Sequence, residues 1–379
     1  MNCEYQNICG GCPLRHLSEA QYRNFKISEF EQAMQSIKQD DINYGEPVFI
    51  NDGLRRRAEP TFYYHNGKLD FGFNAAQSHA IVNISSCPAL TDGINKILPK
   101  IRLFLSELCS VKQSKKAKNK IITTSVTKGN ISVTQADNGI DILLQTDISL
   151  GLEHRMIISD FANDNSQIIR ISVSVNNAYP ETVAEKVKPY IKMGEREVLI
   201  PVGTFLQASD DGQRSLTDLV MKYVEDSTGN IADLFCGVGT FSYPLSQNIK
   251  NKITAFDSSE ELLDAFQKTV NKLTLPNIKI VRKNLFKYPL DCVELKPFDI
   301  VIFDPPRAGA KTQVEQIRSM PISDKPQKII AVSCNPHTFI NDANILIEGG
   351  YRIKQITMVD QFVYTKHFEL VALFEKAVK

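Results

Sequence analysis

Hydrophobic and polar positions change their rhythm along this chain, and the change divides it. An early stretch from Glu19 to Ser36 reads as a helix. The segment TFYYHNGKLDFGF alternates on either side of Asn66-Gly67, a favoured two-residue hairpin turn. Residues 91–120 predict a helix that runs into a lysine-rich loop. From 121 to about 200 the pattern is β-rich: ISVTQADNGIDILLQT predicts two strands around Asn138-Gly139, and IIRISVSV a third. No repeat of fixed period and no low-complexity segment occurs.

Beyond about residue 212, short apolar runs alternate with helical ones. NIADLF, NKITAFD, NIKIVRK, FDIVIFD and KIIAVSC predict strands, and ELLDAFQKTVNKL and PHTFINDANIL predict helices. Such alternation predicts a parallel, doubly wound sheet with its ligand site at the strand carboxyl ends. The last two strands, YRIKQITMV and HFELVALFEK, follow one another without a helix, which predicts an antiparallel hairpin at the sheet edge.

A chain of 379 residues is too long for one ordinary core, so two or three domains are expected. Neither an apolar run of transmembrane length nor a signal peptide is present, and a cytoplasmic location is expected. The formal net charge is only +1, so any nucleic-acid footprint must be local. Two basic candidates stand out, Arg55-Arg56-Arg57 and the run Lys112, Lys115, Lys116, Lys118 and Lys120. For the lysines a plain solvated surface is an equal alternative.

Candidate chemistry collects at predicted strand ends. Asp233-Leu-Phe-Cys-Gly-Val-Gly-Thr240 closes the first strand of the C-terminal half, and its glycines permit a sharp turn and close approach to a ligand. Asp257, at the end of the next strand, can accept both hydroxyls of a ribose. The third glycine of a dinucleotide fingerprint is replaced by Ser242, which favours S-adenosylmethionine. Asp304-Pro-Pro-Arg307 forms a rigid extended loop beside the same point.

Cys334, in Ser-Cys-Asn-Pro at the end of the fifth strand, precedes a proline that can open a helix. A helix N-terminus lowers a thiol pKa, so Cys334 is expected to be a thiolate nucleophile. Such a thiolate can add to carbon 6 of a uracil and make carbon 5 nucleophilic toward a methyl donor. A base must then remove the carbon 5 proton. Glu369 is the candidate, with Asp360 and His367 as alternatives, although spacing alone reads Glu369 as exposed. Of the other seven cysteines, Cys236 and Cys292 are expected to be buried and inert, and Cys109 to lie in a helical core. Cys3, Cys9, Cys12 and Cys87 remain. Four thiolates with a C-x2-C core suit an iron–sulfur cluster or a zinc ion, and spacing does not separate the two.

Taken together, DLFCGVGTF, FDPPRAG, SCNPHTF and the terminal HFE resemble the RNA uracil-5-methyltransferase family over nearly the whole chain. The resemblance implies Cys334 as nucleophile and Glu369 as proton acceptor. It also implies cofactor contacts from Gln207, Phe235, Gly237, Asp257 and Asp304, with Asn284 as a further adenine-side contact. Asp257 stands where the family often has Glu. The cysteines resemble the members of this family that carry a [4Fe–4S] cluster, with Cys3, Cys9, Cys12 and Cys87 as ligands.

The implied fold is α/β. It joins a class I Rossmann-like methyltransferase sheet to an N-terminal β-rich α+β domain with a four-cysteine metal site. The implied division is 1–90 for cluster and RNA binding, 91–211 for a central RNA-binding domain, and 212–379 for the methyltransferase. A β-barrel domain often found before the cysteines is expected to be absent. The short form resembles enzymes that modify large-subunit (23S) ribosomal RNA, with transfer RNA as the alternative. RNA is the expected partner of a monomer, with neither DNA nor membrane. Phe62, Tyr63 and Phe73 are candidate base-stacking residues. A cytosine-5 enzyme is disfavoured because DPPR carries no second cysteine. A non-catalytic assembly factor is disfavoured because nucleophile and base are both present. A redox protein is disfavoured because no second electron-transfer motif occurs.

Overall fold

The computed structural model describes residues 3–117, 120–224 and 229–377, and within these it leaves the side chains of residues 115–122 undescribed. Two compact units emerge. The first comprises residues 1–16, 51–191 and 200–209, and the second residues 17–50, 192–199 and 210–379. Helix Glu19–Met34 belongs with the second unit, because its apolar side packs there: Phe30 and Met34 join the core of that unit. The sequence pattern alone had grouped this helix with residues 1–90.

The first unit is built on an eight-stranded sheet. Along the sheet the strands are Glu181–Glu185, Ile168–Val175, Gly139–Thr146, Lys128–Ala136, Thr61–His65, Lys68–Asn74 and Ile81–Asn83, and Arg57–Ala58 adds to the fourth. Asn66 and Gly67 both take positive φ, the twist-matched turn their sequence predicts. Helices Asp92–Ser110 and Leu152–Asp164 pack on this sheet, and Ile94, Ile97, Leu98, Ile101, Leu105 and Leu108 are fully buried along the first of them. The lysine-rich stretch after that helix forms two short paired strands, Gln113–Ala117 and Lys120–Thr124, rather than a loop. Lys118 lies outside the described residues.

The second unit carries the predicted parallel sheet. Strand Asn230–Leu234 pairs in parallel with Lys252–Asp257 on one side and Ile300–Phe303 on the other. Ile278–Arg282 extends the first side and Lys328–Ser333 the second. The last two strands are antiparallel, as expected, but not as an edge hairpin. Glu369–Lys376 inserts between Lys328–Ser333 and Tyr351–Asp360, and the two-residue strand Val48–Phe49 caps the outer edge. The reason is burial: six consecutive residues, Glu369 to Phe374 with only Leu373 partly exposed, need cover on both sides. Among the described residues no helix is long and apolar enough to cross a membrane.

Candidate active site

Three strand ends of the second unit place the chemistry. The first is the glycine loop. Gly237 and Gly239 adopt φ of +54° and +95°, which L side chains rarely tolerate. Their roles differ. A Cβ on Gly239 would sit 2.6 Å from the ring of Phe266, so this glycine lets helix Glu260–Leu273 pack closely. A Cβ on Gly237 would meet nothing within 4 Å, so open space faces that backbone. Asp257 braces the loop by accepting hydrogen bonds from the N–H of Gly237 and of Ser259, each at 3.0 Å. Phe235 is itself held at φ +61° and packs its ring 5.2 Å from Phe286. Asn284 accepts from the Lys287 N–H and so shapes the adjoining turn.

Asp233 was overlooked in the sequence. It is buried, accepts from the Ser242 hydroxyl at 2.5 Å, and its second oxygen has no hydrogen-bond partner among the described residues. Burial lifts its carboxyl to about 7, with Asp304 and Asp257 adding repulsion. An acid inside the apolar strand NIADLF was the available signal.

The second strand end is the Asp304–Arg307 loop, and the third is the turn at Cys334. They are tied together. Asn335 caps helix Pro336–Glu348, accepting from the His337 N–H at 3.2 Å, and donates from Nδ2 to the Arg307 carbonyl at 2.9 Å. The Ala310 N–H donates to Asp342 at 2.7 Å, which fixes the far side of the loop. Pro336 opens the helix as its sequence predicts.

The expected low pKa of Cys334 does not hold. Burial pushes the thiol up to about 11, and the carboxylates of Glu369 and Asp304 push in the same direction, while its own N–H and Arg307 oppose them weakly. The helix end is outweighed by burial first and by the two nearby acids second. Glu369 is also corrected: it is buried, 2 % exposed, because its strand runs inside the sheet. Burial raises its carboxyl to about 8, with Asp304 adding repulsion and a hydrogen bond from Gln361 opposing it. Asp304 is raised to about 7 by burial. Thus Cys334, Glu369 and Asp304 form one acid-rich cluster.

The alternative bases have other employment. Asp360 is buried and paired with Lys26 at 2.8 Å, and it accepts from the Tyr22 hydroxyl. His367 is exposed.

The sequence matches a known family from residue 20 to residue 377: tRNA (uracil-5-)-methyltransferase. The chain belongs to that family. It is an RNA (uracil-5-)-methyltransferase that depends on S-adenosylmethionine.

Similar proteins include an RNA methyltransferase of Agrobacterium fabrum, 34% identical over 97% of this chain and 82% of that protein. Another is the 23S rRNA (uracil(1939)-C(5))-methyltransferase RlmD of Aliivibrio salmonicida, 28% identical over 99% of this chain and 82% of its own length. Among solved structures, the tRNA (uracil-54, C5)-methyltransferase of Pyrococcus abyssi in complex with S-adenosyl-L-homocysteine shares the fold. It superposes with a TM-score of 0.71 at 22% identity, covering 96% of this chain and 85% of that one.

The remaining sequence candidates of this methyltransferase lie in the first unit. Gln207 is buried, and its carbonyl accepts from Arg56 Nε at 3.0 Å. The arginine triplet is therefore no open basic patch. Arg56 is buried in that contact, and Arg57 pairs with Glu59 at 2.5 Å. Phe62 is core, and Phe73 packs against that core. Tyr63 is exposed, its ring stacked on His65 at 5.0 Å.

Cys3, Cys9, Cys12 and Cys87 line one cavity of about 820 Å³. They lie near enough for the other three thiols to help raise Cys87, which burial chiefly lifts to about 11. The Gly11 N–H donates to Cys9 Sγ at 3.4 Å, and Arg15 donates to Cys12 Sγ at 3.9 Å. Among the described residues no three Cys, His, Asp or Glu side chains close on a point that would hold one metal ion. Cys109 is buried, but Cys292 is only half-buried, its thiol donating to the Gln316 carbonyl at 3.8 Å.

Proposed function

We propose that this enzyme methylates carbon 5 of a uridine in large-subunit ribosomal RNA through a covalent adduct on Cys334. The observation that supports the mechanism is the placing of Cys334, just past the carboxyl end of strand Lys328–Ser333, beside the buried Glu369 at the amino end of the antiparallel neighbouring strand. The thiolate adds to carbon 6, and the displaced π electrons make carbon 5 the nucleophile. Carbon 5 attacks the methyl group, whose bonding pair stays with the donor sulfur. Glu369 then takes the carbon 5 proton, the C–H pair becomes the C5–C6 double bond, and the C6–S pair returns to Cys334. The uridine must leave its stack to present both carbons, which costs least in a loop.

Gln207, Phe235, Gly237, Asp257 and Asp304 are the proposed cofactor contacts. The room in front of Gly237 and the second lone pairs of the Asp257 oxygens support this reading. Ribosomal RNA is favoured by the RlmD relative, which aligns with 99% of this chain.

One experiment tests mechanism and substrate together. The protein is incubated with labelled S-adenosylmethionine and with 5-fluorouridine transcripts of either 23S rRNA or tRNA. A covalent adduct on the ribosomal transcript is expected, absent in Cys334→Ala. With ordinary uridine, Glu369→Gln should accumulate the methylated adduct. No adduct with the intact protein sinks the mechanism, and an adduct on tRNA alone sinks the ribosomal substrate.

Cys3, Cys9, Cys12 and Cys87 are the proposed ligands of a [4Fe–4S] cluster, which would staple the loops of the first unit. The fit rests on four thiols around one cavity, two of them already receiving N–H donors, as cluster sulfurs do. A lone tetrahedral zinc needs sulfurs about 3.8 Å apart, given Zn–S bonds of about 2.3 Å, whereas a four-iron cube spreads its ligands more widely. Anaerobically purified protein should contain iron and acid-labile sulfide, and stoichiometric zinc would overturn the assignment.

A further inference from the structure

Asp360 and Gln361 are neighbours at the end of strand Tyr351–Asp360, and they point to different tasks. Gln361 is 1 % exposed, and its Nε2 donates to Glu369 Oε1 at 3.0 Å. That bond occupies one oxygen of the glutamate. The other, Oε2, is buried and has no hydrogen-bond partner among the described residues. A carboxylate with one oxygen clamped and one oxygen open has a single place to receive a proton.

The segment carrying Gln361 is fastened from behind. Tyr22 and Lys26, one turn apart on helix Glu19–Met34, both reach Asp360. Lys26 Nζ, fully buried, also donates to the carbonyls of Thr365 (3.0 Å) and His367, and the Tyr22 hydroxyl accepts from the Tyr364 N–H at 2.9 Å. The segment is thus held at the Asp360 side chain and at the backbone of Tyr364, Thr365 and His367, on either side of which stand Gln361 and Glu369.

We infer that Gln361 is the positioning residue for Glu369: it holds the carboxylate so that Oε2 faces the carbon 5 proton of the adduct. The inference rests on the proposed role of Glu369. In that step the C5–H pair closes the double bond, the proton goes to Oε2, and the C6–S pair returns to Cys334. Gln361 takes no proton and forms no covalent bond; it acts on geometry and on the charge of Oε1.

The test exploits the difference between two substrates. In 5-fluorouridine RNA there is no carbon 5 proton to remove, so adduct formation reports only thiolate addition and methyl transfer. Turnover on ordinary uridine also needs elimination. Gln361→Met keeps the side-chain length and loses the donor. Removing a hydrogen bond to a charged group should slow turnover about 10- to 100-fold. Trapping on 5-fluorouridine RNA should keep its normal rate, and methylated adduct should build up on uridine RNA. Unchanged turnover would overturn the assignment, and so would trapping slowed as much as turnover, because that marks general damage to the site. Absence of trapping with the unaltered protein would instead remove the covalent mechanism itself, and the assignment with it.

Discussion

Free Cys334 should alkylate about 100-fold more slowly at pH 7 than an ordinary thiol. Its pKa is lifted from the usual value of 9.0 to about 11 by burial, Glu369 and Asp304. At pH 7 that leaves a thiolate fraction of about 10⁻⁴ instead of about 10⁻². The sign is fixed by the direction of the shift: below pH 11 the sulfur keeps its proton, so the rate should climb about tenfold per unit up to roughly pH 10. Iodoacetamide labelling followed by peptide mass spectrometry reads Cys334 apart from the other cysteines. A rate independent of pH, or a midpoint below 8, would contradict the acid-rich arrangement. The same arrangement bears on the proposed role of this thiol. Asp233, Asp304 and Glu369 are all held above the ordinary carboxylate range, so a sulfonium cation bound among them would favour each ionised form. On the proposed mechanism the positive charge of the donor would offset the repulsion of Glu369 and Asp304 and favour the thiolate.

Lys26→Met should cost about 3–5 kcal/mol of stability in the second unit. Lys26 and Asp360 are both essentially fully buried, and their side chains are 0 % and 1 % exposed. Removing the ammonium leaves a buried carboxylate supported by Tyr22 and strips the carbonyls of Thr365 and His367 of a donor. The methionine fills the space, so the loss is electrostatic rather than a cavity. A urea titration monitored on the second unit measures it. A change under about 1 kcal/mol would mean that the pair only breaks even against an apolar side chain.

The residues legible in the sequence are those whose chemistry demands a type at a strand end. Asp257 and Cys334 could be singled out because short apolar strands announce where the sheet stops, and because glycine pairs and Asn-Pro turns restrict the backbone that follows. Asp304 and Glu369 could be given roles only through resemblance. The burial of Glu369 depends on a final strand slipping between two others, and no local pattern encodes that pairing. Gln361 was illegible for the same reason: its partner is set by the register of Val359 with Glu369. The arginine triplet misled because charge was counted without its partners. Phe62 and Tyr63 show how one step along a strand decides between core and surface, since neighbours point to opposite faces.

The tie between Lys26 and the loop at Thr365 spans 339 residues of sequence. This has a consequence for synthesis on the ribosome. A chain released at residue 350 would hold the glycine loop, Asp304 and Cys334, yet lack the strands that supply Glu369 and the partners of Tyr22 and Lys26. The proposed nucleophile is thus made before the proposed base. On the proposed mechanism, letting the RNA go would depend on strands Tyr351–Asp360 and Glu369–Lys376, which are made after the nucleophile.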